Sequence, residues 1–355
     1  MTKYYVQFVT ITLLFLGVNL ASTHSIAASI SAEIPAKIAM DAVLHRLNAS
    51  VVRVQVGLAD GSYGVGSGVV VAKEQVVTNC HVVANAASIS VVLAGESYAV
   101  SAIKPDWHHD VCIIKVEGLK APIVQLGAAK TLKYEQTLYS IGYPGFLSSP
   151  VSTAGTVKGL YAMDDSVIVR ATNTFRLGDS GGGIFDEAGY LVGVMTLKSP
   201  GQHAYYYNMP VEWVRALLDK PEQAVNAKSE LPFWARTLTE WPLFMRVVQP
   251  YKTADWPSLL TLATTWTAQE PTSTEAWFYL AASEYAMKNT ASAEAHLHKV
   301  LAMNDKHSQA IYYLGLIADA NGKRTEALDN VALLNELDHV AATELKLAMG
   351  IVEAN

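Results

Sequence analysis

Three residues that could work together in a nucleophilic reaction stand far apart in the chain. Ser180 lies in the glycine-rich stretch Gly178–Gly183, His81 follows an apolar run, and Asp110 opens another. A serine hydroxyl is a weak nucleophile at neutral pH and needs a base to take its proton. An imidazole can be that base, and a carboxylate can orient the imidazole. We therefore predict Ser180 as nucleophile, His81 as base and Asp110 as orienting group.

The glycines around Ser180 have a predicted role of their own. They allow the backbone to turn so that the serine hydroxyl and nearby N–H groups face one point. We expect the N–H groups of Gly178 and Ser180 to form an oxyanion hole. The loss of one such donor typically costs about 2.7–4 kcal/mol of transition-state stabilisation.

The order of the three residues predicts the fold. His81 comes first, Asp110 follows it, and Ser180 comes last after a longer interval. Hydrolases that use serine, histidine and aspartate differ in this order, and His–Asp–Ser is the order of the chymotrypsin-like double β-barrel. Taken alone, Asp110 would more commonly be a turn residue before a strand, and its position in the series favours the functional interpretation.

Composition limits the class of protein. The chain has 355 residues, of which 51% are hydrophobic and 16% charged, so it can bury the cores of two domains. Its net charge is −6 without a basic cluster, which argues against a nucleic-acid partner. Residues 1–28 resemble a signal peptide, which predicts an exported protein, periplasmic or secreted. The alternative is a membrane anchor formed by the same segment, uncleaved.

The composition and residue spacing of the sequence change twice along the chain. Residues 50 to about 197 are rich in short Val/Ile runs separated by turn residues, which predicts an all-β sandwich or barrel. With a short helix before it and a closing helix after it, this part forms a predicted domain over residues 36–218. Residues 219–250 form a proline-containing linker, and residues 251–355 show helical spacing. The helical part repeats itself at an offset of 34 residues, since Ala276 and Tyr279 recur as Ala310 and Tyr313. This period resembles that of the tetratricopeptide repeat and predicts an all-α repeat domain. A generic helical bundle is the alternative.

Several motifs resemble the trypsin-like serine proteases of the bacterial Deg/HtrA branch, over about residues 38–218. The matching segments are Gly66–Val70, Val77–Val83, Ile141–Pro144, Thr153–Val157 and Tyr207–Pro210. The resemblance implies a chymotrypsin-like double β-barrel, a His81–Asp110–Ser180 triad, an oxyanion hole at Gly178 and Ser180, and a serine endopeptidase that acts on protein or peptide substrates.

The chain departs from this branch at Asp179, in its helical C-terminal part and in its two cysteines. Asp179 stands before the serine where the branch usually has asparagine, and no activation site provides a new N-terminus to pair with it. Tetratricopeptide-like helices replace the usual PDZ modules, so we expect them to bind protein partners or substrates.

The same resemblance implies the walls of the substrate pocket. Its base holds Thr174 instead of an acidic residue, so we expect cleavage after a small or medium residue and not after arginine or lysine. The predicted substrate-binding residues are Thr174, Leu177, Thr196, Leu197, Lys198 and Asn208.

The two cysteines flank the predicted triad. Cys80 precedes His81, and Cys112 lies two residues after Asp110. If His81 and Asp110 are hydrogen-bonded, the cysteines lie on neighbouring strands, close enough for a disulfide. Two buried free thiols are the alternative.

No metal and no cofactor are expected. The neighbouring residues His108 and His109 precede Asp110 and could be taken for a metal-binding pair. Adjacent residues of a strand point to opposite faces, which is poor chelating geometry. The sequence thus favours an exported serine endopeptidase. The competing hypothesis is a scaffold protein with an idle or latent protease fold, which acts through its repeats.

Overall fold

A computed structural model describes residues 40–145, 147–199 and 204–351. The predicted signal peptide lies outside these residues. Residues 40–48 are helical (α1), and the chain from Leu44 onward forms one compact unit. Within the described ranges, no helix combines the length and the apolar character needed to cross a membrane.

The first barrel is closed, with its six strands in the order β1-β2-β3-β6-β5-β4. Alternation of side chains along a strand explains how the sequence fills it, since Val52, Val54 and Val56 of β1 all point into the core. A single helical turn, α2 (Cys80–Val83), follows β3. The strands are β1 (Val51–Leu58), β2 (Tyr63–Ala72), β3 (Gln75–Thr78), β4 (Ala86–Leu93), β5 (Glu96–Asp106) and β6 (Val111–Val116).

The second barrel is also closed, with the order β10-β11-β12-β9-β8-β7. Its core contains Leu138, Ile184 and Met195. The strands are β7 (Thr137–Gly142), β8 (Val151–Met163), β9 (Ser166–Ala171), β10 (Gly183–Phe185), β11 (Leu191–Lys198) and β12 (Tyr206–Pro210). Helix α3 (Val211–Leu217) follows directly. The predicted double β-barrel is therefore confirmed.

Helices dominate the chain after the barrels. Between α3 and the longer helices, the linker contains a short 3-10 turn at Phe233–Ala235. The helices are α4 (Leu243–Arg246), α5 (Val248–Lys252), α6 (Trp256–Gln269), α7 (Thr274–Ala286), α8 (Thr290–Met303), α9 (Ser308–Ala320), α10 (Arg324–Leu337) and α11 (His339–Ala348). A helical C-terminal region was predicted and is confirmed.

The period of the sequence is visible in the helices. Helix α9 begins 34 residues after α7, and α10 begins 34 residues after α8. Ala276 and Ala310 occupy equivalent buried positions in the first helix of each pair. The interpretation of these pairs as tetratricopeptide repeats stays a prediction.

The helical region packs against the second barrel through aromatic side chains. The buried Tyr161 stacks on Phe244, with ring centroids 4.5 Å apart, and Tyr134 stacks on His307 at 5.2 Å. Lys158 of β8 lies 3.2 Å from the carboxylate of Asp338, which precedes α11. Apolar and charged contacts thus join the barrel and the helices.

Candidate active site

His81 and Asp110 are joined by two hydrogen bonds. The ring Nδ1 of His81 lies 2.6 Å from Asp110 Oδ2, and the backbone N–H of His81 donates to Oδ1 at 2.7 Å. Because a buried carboxylate accepts only, Nδ1 carries the proton and Nε2 keeps a free lone pair. Asp110 is fully buried, whereas the His81 side chain is 31% exposed. The pair therefore presents a basic nitrogen toward solvent.

Asp110 adopts an uncommon backbone conformation. Its φ is +59°, in the left-handed region that aspartate and asparagine tolerate better than most residues. Its carbonyl accepts a hydrogen bond from Asn79 Nδ2 at 2.9 Å, and the same amide group donates to Thr196 Oγ1 at 2.8 Å. Asn79 thus links the aspartate of the first barrel to β11 of the second.

Trp234 supplies a third donor to the Asp110 carboxylate. Its Nε1–H donates to Oδ2 at 3.2 Å, and its ring meets the His81 ring edge-on at 5.6 Å. The backbone N–H of Phe233 donates to the carbonyl of His108 at 3.0 Å, which anchors the linker there. We did not predict a role for Trp234, because it lies 124 residues after Asp110 and outside the segments that resemble Deg/HtrA proteases.

Ser67, in β2, holds the turn that carries Ser180. Its hydroxyl donates to the carbonyl of Gly178 at 2.7 Å and accepts from the N–H of Tyr143 at 2.8 Å. Its own N–H donates to the carbonyl of Ser180 at 2.8 Å. At Gly181, whose φ is +89°, a Cβ would lie 2.1 Å from the carbonyl oxygen of Ser67, so only glycine fits. Ser67 stands in a motif that carried the resemblance, but no role was predicted for it.

The backbone around Ser180 leaves two donors unpaired. The carbonyl of Leu177 accepts from the N–H of Gly145 at 2.6 Å, so the Gly178 N–H of the same trans peptide points the opposite way. Among the described residues, neither this N–H nor that of Ser180 has an acceptor. The two predicted oxyanion donors are therefore available.

Gly66 lies between the segment that carries His81 and the segment that carries Ser180. A Cβ added to Gly66 would lie 2.5 Å from Val82 Cγ1, beside His81, and 3.2 Å from the carbonyl oxygen of Ser180. In the described part of the chain, no hydrogen bond joins the Ser180 hydroxyl to the His81 ring. Such bonds are often long in unliganded enzymes and tighten when substrate binds.

Asp179 finds its partner within its own turn. Its Oδ2 accepts the backbone N–H of Arg176 at 2.7 Å, and the N–H of Asp179 donates to the carbonyl of Arg176 at 3.0 Å. Burial raises the pKa of the Asp179 carboxyl, and the bond from Arg176 opposes that rise. The turn is therefore closed without a new N-terminus.

The predicted pocket residues divide into two groups. The side chains of Thr174, Leu177 and Lys198 are exposed, and Leu197 is half-buried. Thr196 and Asn208 are buried and already bonded, Thr196 to Asn79 and Asn208 to the carbonyl of Val169 at 3.1 Å. The Thr196 hydroxyl also donates to the carbonyl of Val194 at 2.9 Å. These two side chains can shape a pocket, but their hydrogen-bond donors serve the fold.

The two cysteines form a disulfide. Cys80 and Cys112 have Cα atoms 4.9 Å apart, and 32 residues separate them in the sequence. The bridge joins the residue before His81 to the strand that follows Asp110. The predicted disulfide is confirmed, and the alternative of two free thiols is wrong.

His108 and His109 do not lie on a strand. Residues 107–110 form a turn, closed by the N–H of Asp110 and the carbonyl of Trp107 at 3.3 Å, and β6 begins only at Val111. The two imidazole centroids are 4.8 Å apart. The argument that they face opposite sides is therefore wrong.

Comparisons with known proteins agree with this geometry. Residues 66–194 match the trypsin-like peptidase domain. A probable periplasmic DegP-like serine endoprotease of Pseudomonas putida (strain GB-1) is 34% identical over 155 residues, which is 41% of this chain and 32% of that protein. A Do-like HtrA serine protease of Lactobacillus helveticus is 26% identical, over 39% of this chain and 36% of that protein. The chain thus spans about a third of the length of these curated relatives.

A solved structure aligns with about half of the chain. The active form of a protease from M. tuberculosis aligns with a TM-score of 0.47 and 21% identity, over 53% of this chain and 86% of that chain. The family match covers the segment that carries His81, Asp110 and Ser180. Residues 66–194 thus match a trypsin-like peptidase domain, and part of the chain is similar in sequence to DegP-like and HtrA serine proteases.

Proposed function

We propose that the protein is an exported serine endopeptidase that works through His81, Asp110 and Ser180. The observation that carries the proposal is the buried Asp110 carboxylate, 2.6 Å from His81 Nδ1. The DegP-like relative is described as periplasmic, which supports export. Neither a metal nor a cofactor enters this mechanism.

The reaction depends on which ring nitrogen of His81 carries the proton. Its Nε2 takes the proton from Ser180 Oγ as that oxygen attacks the carbonyl carbon of the substrate. The N–H groups of Gly178 and Ser180 stabilise the oxyanion that forms. The imidazolium then protonates the leaving amine, and the acyl group remains on Ser180. Water attacks this acyl-enzyme while His81 takes the proton of the water, and His81 then returns a proton to Ser180 as the acid product leaves.

We further propose that the barrels and the helical region bind different parts of a substrate or different partners. The exposed Thr174, Leu177 and Lys198 contact substrate near the scissile bond. Arginine and lysine are not preferred there, because Thr174 brings no negative charge, and we propose that a small or medium residue is. The helical pairs, interpreted as tetratricopeptide-like repeats, bind protein partners or substrates.

A fluorophosphonate probe tests the proposed nucleophile. We expect the folded full-length protein to gain one covalent adduct, which peptide mapping places on Ser180. Ser180→Ala should remain unlabelled, and the linker variant Ser229→Ala should label like the wild type. The measurement is intact mass after incubation with the probe.

The same labelling experiment distinguishes an active endopeptidase from the second candidate, a latent protease or a scaffold protein. The described residues show no hydrogen bond between Ser180 Oγ and His81, a feature that an unliganded active enzyme and a latent one share. Labelling that requires an added unfolded protein would identify such a latent enzyme. If the native protein stays unlabelled under both conditions, it is a scaffold and the endopeptidase proposal is wrong.

Trp234 is proposed as a positioning residue. Trp234→Phe removes its donor to Asp110 but keeps an aromatic ring against His81. A hydrogen bond to a charged group contributes about 1.5–3 kcal/mol, so we expect kcat to fall at least about tenfold. KM should stay unchanged, because the indole does not contact substrate in this proposal.

Trp241 offers a matched control for this substitution. Its Nε1–H donates to the carbonyl of Arg236 at 2.9 Å, within the linker and away from Asp110. Trp241→Phe should leave kcat as in the wild type. Equal kcat values for Trp234→Phe and wild type would rule out the positioning role.

A further inference from the structure

A cluster of nitrogen and oxygen ligands lies beside the triad, between the two barrels. His108 and His109 come from the turn before Asp110, and Asp164 comes from the β8–β9 hairpin of the second barrel. One ligand atom from each residue lies within 4.8 Å of the others. Asp164 Oδ2 is 3.0 Å from His109 Nε2 and 3.5 Å from His108 Nε2.

The ring of His109 is held in one orientation by a further carboxylate. Its Nδ1 lies 2.6 Å from Asp106 Oδ2, and its backbone N–H donates to Asp106 Oδ1 at 3.1 Å. When Asp106 accepts the Nδ1 proton, the neutral ring directs the lone pair of Nε2 at Asp164. A carboxylate behind a histidine, with the other ring nitrogen free, is the usual arrangement around a metal-bound imidazole.

Trp213, in α3, supports both sides of the cluster. Its ring stacks on His109 with centroids 3.8 Å apart, and its Nε1–H donates to the carbonyl of Asp164 at 3.3 Å. The backbone of Asp164 is in the left-handed region, with φ of +41°, as the tight hairpin requires. Two of the three ligand residues, His109 and Asp164, are therefore held in place by Trp213.

These acceptors lie close together only with a positive charge between them, either a proton on His109 Nε2 or a bound cation. A neutral His109 would place the Nε2 lone pair against the oxygen of Asp164 at 3.0 Å, which is repulsive. Two imidazoles and one carboxylate are the ligands of zinc and similar divalent transition metals, in sites where water takes the fourth position. Magnesium and calcium prefer oxygen ligands and fit this set poorly.

We propose that His108, His109 and Asp164 bind one divalent transition-metal ion of the zinc class, with Asp106 behind His109. The His108 and Asp164 side chains are 42% and 55% exposed, so an ion can enter from solvent. They can also move inward to the bond lengths of about 2 Å that zinc requires. The ion bridges the two barrels one residue from Asp110 and replaces our expectation of a protein without a metal site.

Zinc titration of the full-length protein tests this proposal. After treatment with a chelator and buffer exchange, isothermal titration with ZnCl2 should show one ion bound per chain. Both His109→Gln and Asp164→Asn should weaken binding at least about 100-fold, and Asp106→Asn about 10–100-fold, as expected for an outer carboxylate. Zinc should also raise the melting temperature of the wild type, because it binds the folded state.

Two controls exclude other binding sites. His298→Gln, on the exposed face of α8, should bind zinc as the wild type does. His81→Gln should also keep one ion, which separates this cluster from the proposed catalytic histidine. Circular dichroism of each variant checks its folding, and His108→Gln, at a half-exposed position, provides a second test if His109→Gln does not fold.

Two results would overturn the proposal. One is the lack of saturable zinc binding by the wild type. The other is equal zinc affinity in the wild type, His108→Gln and Asp164→Asn. In either case a proton on His109, shared between Asp106 and Asp164, satisfies the cluster instead.

Discussion

Asp110→Asn is expected to lower kcat for peptide hydrolysis by about 10⁴-fold, the scale typical of losing the carboxylate of a Ser-His-Asp triad. Asparagine tolerates the left-handed φ of +59° at this position, so the backbone should be preserved. The expected loss therefore comes from the hydrogen bonds of the side chain.

The three donors around Asp110 explain why asparagine fails in either orientation. With its oxygen toward the backbone N–H of His81, its amide group faces Nδ1 of His81 and Nε1–H of Trp234. The imidazole must then carry its proton on Nε2, where it can no longer accept the proton of Ser180. With the amide flipped, two N–H donors face each other at the His81 backbone, which costs about 1–3 kcal/mol.

The measurement is steady-state hydrolysis of an unfolded protein substrate, with folding checked by near-ultraviolet circular dichroism. Asp60→Asn serves as the control, because Asp60 is exposed in the β1–β2 hairpin and bonds only to Ser62 in the described residues. We expect it to retain wild-type activity. Asp110→Asn with wild-type kcat would exclude Asp110 from the mechanism.

Removing the disulfide is expected to lower the free energy of unfolding by about 3–4 kcal/mol, the chain-entropy value for a bridge between residues 32 apart. In the unfolded chain, the bridge restricts the conformations of the loop that it closes, and its removal restores them. The double variant Cys80→Ala/Cys112→Ala also loses two buried sulfur atoms, which adds a packing cost.

Urea denaturation at fixed pH measures this change, with tryptophan fluorescence as the signal. Reduced wild-type protein is the informative comparison, because it keeps both sulfur atoms and loses only the bridge. It should fall between the oxidised wild type and the double variant. Two titratable thiols in denatured protein without reductant would show that the bridge does not form.

The elements that could be predicted from the sequence are those whose signal is local or ordered along the chain. His81, Asp110 and Ser180 each stand in a short motif, and their order predicted two barrels before any contact was known. The disulfide followed from the same step, because a hydrogen bond between His81 and Asp110 brings Cys80 and Cys112 together.

The residues we missed act through contacts between distant segments. Trp234 and Ser67 lie 124 and 111 residues from the groups they bond, and nothing in their own neighbourhood signals that role. The error at His108 and His109 had a different origin. An apolar strand follows them, and we extended it backwards over a turn that the left-handed backbone of Asp110 closes.

The aromatic contact between the second barrel and the helices has a consequence for the order in which the protein folds. Protein synthesis begins at the N-terminus, so both barrels are made before the helices that cover Tyr161 and Tyr207. Until Phe244 and Trp266 follow, Tyr161 lacks the aromatic contacts that these two residues make in the described structure, and exposed aromatic patches promote aggregation. The helical region thereby acts as an internal folding partner for the domain that precedes it.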